Sequence, residues 1–133
     1  MINGGNASGS FAGTQRPNWT GVNATLSGPA QDRLLRFFDV SQFTFNAPFT
    51  FGNAPRMMPN LRCPGVNNFD ISVFKNTKVT ERFNVQFRAE AFNAFNRVQF
   101  GVPNTSINST AFGVVSSQQN LPRNLQLGLR LLF

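Results

Sequence analysis

Arg82-Phe83-Asn84-Val85-Gln86-Phe87-Arg88-Ala89-Glu90-Ala91 alternates without a fault. One parity is Arg82, Asn84, Gln86, Arg88 and Glu90; the other is Phe83, Val85, Phe87, Ala89 and Ala91. Successive side chains of a strand point to opposite faces, so the stretch reads as a strand with one apolar face. The chain is 41% hydrophobic. At that content, random order gives such a run in about one window in 1,200, and somewhere in a chain of this length about one time in five. A second run therefore decides the matter. Asn124 to Phe133 sets Leu125, Leu127, Leu129, Leu131 and Phe133 against Asn124, Gln126, Gly128, Arg130 and Leu132, and only Leu132 departs from the pattern.

Outward from these two, residues 68–77 give a third candidate strand. Phe69, Ile71 and Val73 oppose Asn68, Asp70, Ser72 and Asn76, and the pattern breaks at Phe74 and Lys75. Strands are thus expected at about 68–77, 82–92 and 123–133. A tight turn, 78–81, joins the first two, and a long loop, 93–122, joins the last two. A helix over 83–97 is the rival for part of this, since Phe92 and Phe95 stand three apart, but Asn84, Asn93 and Asn96 are poor helix formers. Residues 1–67 differ in character. Asn3 to Gly13, Arg16-Pro17-Asn18, Ser27-Gly28-Pro29, Asn53-Ala54-Pro55 and Cys63-Pro64-Gly65 are turn and loop signals. A stretch this long without regular structure reads as a functional loop or a linker. Short β signals interrupt it at Gln42–Phe45 and Pro48–Phe51, and Asp32–Phe38 has room for one or two helical turns.

Composition removes whole classes of chemistry. The 133 residues suffice for one small domain. There is no His, which excludes His-based acid–base catalysis and His metal sites, and one cysteine, Cys63, which excludes an internal disulfide. The five acids Asp32, Asp39, Asp70, Glu81 and Glu90 are scattered, and Arg88 with Glu90 reads as a salt link on one strand face. Cys63, beside Arg62, reads as an idle loop thiol. No catalytic, phosphate-loop or metal-binding motif is present, so neither an enzyme nor a cofactor is expected. The net charge of +7 comes from few acids; charged residues are only 13%. Nucleic acid is not an expected partner, because such segments carry dense basic runs.

Alternating strands have two readings. A soluble antiparallel sheet buries its apolar face on a core; a transmembrane barrel turns it to lipid and its polar face to a lumen. Three features favour the barrel. The strands are about ten residues long, as a tilted strand needs to cross a bilayer. Arg82, Gln86, Arg88 and Glu90 suit a hydrated interior. A short turn is followed by a long loop, as in outer-membrane barrels. The alternative is a small, soluble, basic β-sheet binding protein. The fold class is all-β in either case.

Several stretches resemble one family. Pro64-Gly65-Val66-Asn67-Asn68-Phe69-Asp70-Ile71-Ser72-Val73-Phe74-Lys75-Asn76, Phe87-Arg88-Ala89-Glu90-Ala91-Phe92-Asn93-Ala94-Phe95-Asn96, Gln99 to Asn104 and Pro122 to Phe133 look like the C-terminal end of Oar-like TonB-dependent transporters, outer-membrane receptors with a carboxypeptidase-regulatory-like N-terminal domain. Ala47 to Arg56 is similar to a loop of the same group. The resemblance runs from about residue 37 to the end.

The resemblance implies antiparallel strands from the closing end of a transmembrane β-barrel of the bacterial outer membrane, with long irregular loops. It makes 78–81 periplasmic, and 1–67 and 93–122 extracellular. Leu125, Leu127, Leu129, Leu131, Phe133, Phe83, Val85 and Phe87 would face lipid, with Phe133 closing a signal read by the barrel-assembly machinery. Arg82, Gln86, Arg88, Glu90, Gln126 and Arg130 would face the lumen. The expected partners are the rest of the barrel, outer-membrane lipid, the assembly machinery and, through a plug not in this sequence, TonB. With no signal peptide and three or four strands, the chain is expected to be a fragment of such a transporter. The aromatics of 43–51 and Trp19 are expected to pack against the rim as an aromatic girdle rather than to stack on a ligand.

Overall fold

The computed structural model describes residues 1–10 and 13–133; of the turn-rich stretch Asn3–Gly13, residues 11 and 12 lie outside the described residues. The chain is all-β and antiparallel in its strands, with two short 3-10 turns, Ala30–Arg33 and Val40–Gln42. Two compact units divide it. The first is Met1–Pro64 with Phe100–Ser117; the second is Gly65–Gln99 with Gln118–Phe133.

The first unit has a core of its own. Strand β1, Asn18–Trp19, pairs with β2, Phe43–Thr44. Around them Ile2, Ala24, Phe37, Phe38, Phe43 and Val115 are buried, with Trp19, Leu34, Val40, Ile107 and Phe112 packed against them. Phe38, Phe43 and Phe112 meet edge to face in a ring, their centroids 5.3 to 6.0 Å apart, the geometry that aromatic quadrupoles favour. Little regular structure is needed because backbone hydrogen bonds tie one segment to the next. Asn3 bonds to Thr105 and Ile107, Gly4 and Gly5 bond to Gln15, and Val115 donates to Leu34. The chain passes so close at Gly52 that a Cβ there would run into the carbonyls of Arg16 and Pro17.

This changes the reading of the chain's first half. The turn-rich composition marked 1–67 as loop, yet the residues between its turns supply a core. Composition also placed the division at residue 67 and gave 93–122 to one long loop. In the structure the middle of that loop, residues 100–117, belongs to the first unit, because Val115, Phe112 and Ile107 join its core. Within 43–51 the rings differ in fate: Phe43 is buried, whereas Phe45, Phe49 and Phe51 are exposed. The helical turn expected in Asp32–Phe38 is the 3-10 turn Ala30–Arg33, which shares only Asp32 and Arg33 with it; residues 34–38 are not helical.

The second unit is a three-stranded antiparallel sheet of β3 (Ile71–Lys78), β4 (Asn84–Phe92) and β5 (Asn124–Leu132), in that order. The alternation in 82–91 becomes a strand rather than a helix. Phe92 ends β4 because Asn93 and Asn96 adopt left-handed backbone, φ 49° and 50°, a conformation that Asn tolerates better than most residues. Between β3 and β4, the N–H groups of Val79 and Thr80 both donate to the carbonyl of Phe83, at 3.0 and 3.2 Å. Arg82 therefore lies in the turn and not on the strand where alternation placed it. Residues 68–70 also stay outside β3. The Asp70 carboxylate accepts from the N–H of Asn93, and the Phe69 carbonyl from that of Ala94.

Candidate functional site

The register of the sheet sorts its side chains into cross-strand rows. One face carries Ile71–Ala91–Leu125, Val73–Ala89–Leu127, Lys75–Phe87–Leu129 and Thr77–Val85–Leu131. The other carries Ser72–Glu90–Gln126, Phe74–Arg88–Gly128 and Asn76–Gln86–Arg130. Of the residues singled out from sequence, Leu125, Leu127, Leu129, Leu131, Val85 and Phe87 share the first face. Gln86, Arg88, Glu90, Gln126 and Arg130 share the second. Phe83 and Phe133 lie just beyond the strand ends, their rings 6.5 Å apart. Arg82 stands apart from both sets, in the turn.

The apolar face has no cover within its unit. Leu125, Leu127, Leu129 and Leu131 are each more than 60% exposed. A single exposed leucine means little, but a row of four beside Val73, Val85 and Phe87 is a contiguous apolar surface, which marks a surface made to meet something else. Each leucine is worth about 1.5–3 kcal/mol when removed from water. Aromatic pairs stand at both ends of the sheet. Phe83 with Phe133 is at the β3–β4 turn, and Phe69 with Phe95, edge to face at 5.4 Å, is at the opposite end.

The polar face carries two sets of linked side chains. The Arg88 guanidinium lies over the Phe74 ring, 4.8 Å from its centroid, and its Nε reaches Glu90 Oε1 at 3.1 Å. Ser72 Oγ donates to the same carboxylate at 3.4 Å, and Gln86 Nε2 donates to Asn76 Oδ1 at 2.9 Å. This accounts for the two residues that broke the pattern of the third strand. Phe74 is on the polar face because it stacks with Arg88, a contact worth about 0.5–1 kcal/mol at exposed sites. Gly128 lies on the other side of Arg88 in that row, where a Cβ would come no nearer than 3.7 Å to the Arg88 Cβ. Lys75 is on the apolar face, beside Phe87. Alternation alone gives no sign of either partner.

At the far end of the sheet Asn93 is a buried junction that sequence reading missed. Its side-chain amide donates to the carbonyls of Arg97 and Leu121, at 3.1 and 3.0 Å, and its Oδ1 accepts from the Arg97 N–H at 2.9 Å. Asn96 Oδ1 accepts from the N–H of Arg123 at 3.0 Å, just before β5. The signal available was the repeated Asn itself, the residue after Gly most at home in left-handed turns.

Among the described residues no group of three or more His, Cys, Asp or Glu is close enough to hold a metal ion. No helix of the described residues is long and apolar enough to cross a membrane. What the arrangement can do is separate two media across one sheet, an apolar one and an aqueous one. Both outer edges, on β3 and on β5, are unpaired within the sheet.

A family model described as an outer membrane beta barrel domain matches residues 1–126. No curated protein and no solved structure is matched.

Proposed function

The chain belongs to the outer membrane beta barrel domain family, and from that premise we propose that it supplies wall strands and outer loops of a TonB-dependent transporter of the Oar-like kind. The observation that carries this is the uncovered leucine row of β5, continuous with β4 and bounded at each end by an aromatic pair. Outer-membrane barrels carry an outward apolar band between two aromatic girdles, with a polar interior. In this reading Leu125, Leu127, Leu129, Leu131, Val85 and Phe87 meet lipid, and Gln86, Arg88, Glu90, Gln126 and Arg130 line the lumen. The free edges of β3 and β5 require further strands, since open edges are not tolerated in lipid. The soluble, basic alternative leaves the leucine row without a partner.

The finer assignment, a TonB-dependent transporter, is supported by the similarity of 64–76, 87–96 and 122–133 to that group. The role is transport and wall-building, not catalysis.

An antibody to residues 120–133 tests it on native envelopes, run boiled and unboiled. A large, heat-modifiable band in the outer-membrane fraction is the expected result. A soluble band near 14.7 kDa refutes the membrane reading. Cross-linking of that large band to TonB in intact cells tests the finer assignment, and its absence under ligand-replete growth argues for a barrel of another kind.

A further inference from the structure

The first unit contains two cavities that share Met1 and Arg56 in their walls, of about 250 and 240 Å³. The larger is mostly apolar, with Phe37, Phe38 and Leu61 among its lining residues. All three methionines of the chain and its one cysteine, Cys63, line it as well. Thioethers pack adaptably and make favourable contacts with aromatic rings.

The charge around these cavities has one sign. Arg56 and Arg62 line the larger, and Arg16 and Arg56 line the smaller; no carboxylate lines either. Elsewhere in the unit, arginines are occupied. Arg36 pairs with Asp39, and Arg33 donates to the carbonyls of Leu26 and Phe37. Among the described residues the side chains of Arg16, Arg56 and Arg62 have no such partner. Guanidinium groups bind carboxylates through paired, charge-assisted hydrogen bonds. The same charges disfavour a soft metal cation at the sulfur atoms.

We propose that the larger cavity binds a small organic anion, a carboxylate on an aromatic body, with the ring among Phe37, Met57 and Met58 and the carboxylate held by Arg56 and Arg62. The volume lies just below the range of about 300–1,000 Å³ usual for ligand pockets, so the ligand is compact. The site rests on the first unit alone and not on the membrane reading.

Cys63 is exposed and stands in the cavity wall, so the rate of its alkylation by a maleimide reports occupancy. The full chain in lipid vesicles is alkylated with and without 2-naphthoate. At ten times the half-saturating concentration, labelling should slow about tenfold, because only the unoccupied fraction reacts. The neutral 2-naphthalenemethanol at the same concentration should leave the rate unchanged. R56Q/R62Q should shift half-saturation upward by about tenfold or more, read against that variant's own ligand-free rate. R56K/R62K, which keeps the charge, should retain part of the protection. Absence of protection by naphthoate, equal protection by the alcohol, or unchanged protection in R56Q/R62Q overturns the proposal. Vesicle binding is scored separately, so a chain that stays off the vesicles counts against the membrane reading and leaves this one standing.

Discussion

The backbone N–H of Asn93 donates to the carboxylate of Asp70 at 2.8 Å, 23 residues earlier in the chain. The bond closes the end of the sheet where β4 stops, and the Asn93 side chain then reaches Arg97 and Leu121. N93A should cost about 2–4 kcal/mol locally, from lost buried hydrogen bonds and a left-handed backbone that Ala resists. N93G keeps the backbone and should cost about half as much. Hydrogen exchange at the amides of Ala94 to Arg97 measures the difference; equal losses in both variants would refute the backbone share.

The edge-to-face ring of Phe38, Phe43 and Phe112 holds the first unit. F38A should destabilise it by about 3–5 kcal/mol, as for other buried aromatics truncated to Ala. Limited proteolysis within residues 1–64 should accelerate by about two orders of magnitude or more. An unchanged rate would mean that the core lies elsewhere.

Asp39 gives the first unit a defined acid sensitivity. Gln42 Nε2 and Ser41 Oγ donate to its carboxylate, at 2.9 and 2.8 Å, and Arg36 pairs with it. These bonds, Gln42 first, hold its carboxyl well below the usual carboxylate range. A depressed pKa stabilises the folded state at pH values above the unfolded pKa of about 3.9. That stability declines as pH falls below this value and is gone below the folded pKa. Protease resistance around Val40–Gln42 should therefore fall from pH 5 to pH 2, and the D39N variant should lack this component. A wild-type profile that matches D39N contradicts the role.

The polar row Phe74–Arg88 should show coupling. A double-mutant cycle of F74A and R88A is expected to give about 0.5–1 kcal/mol. E90Q should cost about 1 kcal/mol: Arg88 is half exposed, but the Glu90 side chain is only 14% exposed and also accepts from Ser72. Zero coupling in the cycle would reduce the Phe74 placement to packing alone.

The two faces should respond oppositely to charge. L127K, on the apolar face, should lower barrel stability by about 2–4 kcal/mol if placed at the midplane, whereas Q126K should be near neutral. The midpoint of heat modification on gels reads both. Equal effects would refute the assignment of lipid and lumen.

The sheet was legible because its signal is periodic. Val85, Phe87 and the β5 leucines announce their face by parity alone, and the register then brings them together. The ends of the strands were not legible. Arg82 and Asp70 look like strand residues, yet the first is held in a turn and the second is taken by a backbone N–H far along the chain. The first unit was least legible. Its core draws on Ile2, Phe38 and Val115, which stand singly among turn residues and show no period. Phe74 and Lys75 break the alternation, and each has a place that depends on a neighbouring strand.

If the apolar face meets lipid as proposed, Lys75 also sets a depth. It shares its row with Phe87 and Leu129, and only the Thr77–Val85–Leu131 row and the Phe83–Phe133 pair separate it from the turn. With that face in hydrocarbon, its ammonium must climb to the headgroups along its own stem. The turn lies on its short side, so the sheet cannot sink symmetrically. In the proposed membrane reading one buoyant residue thus fixes how far the wall rides out of the bilayer at that end, and K75L should let it settle deeper.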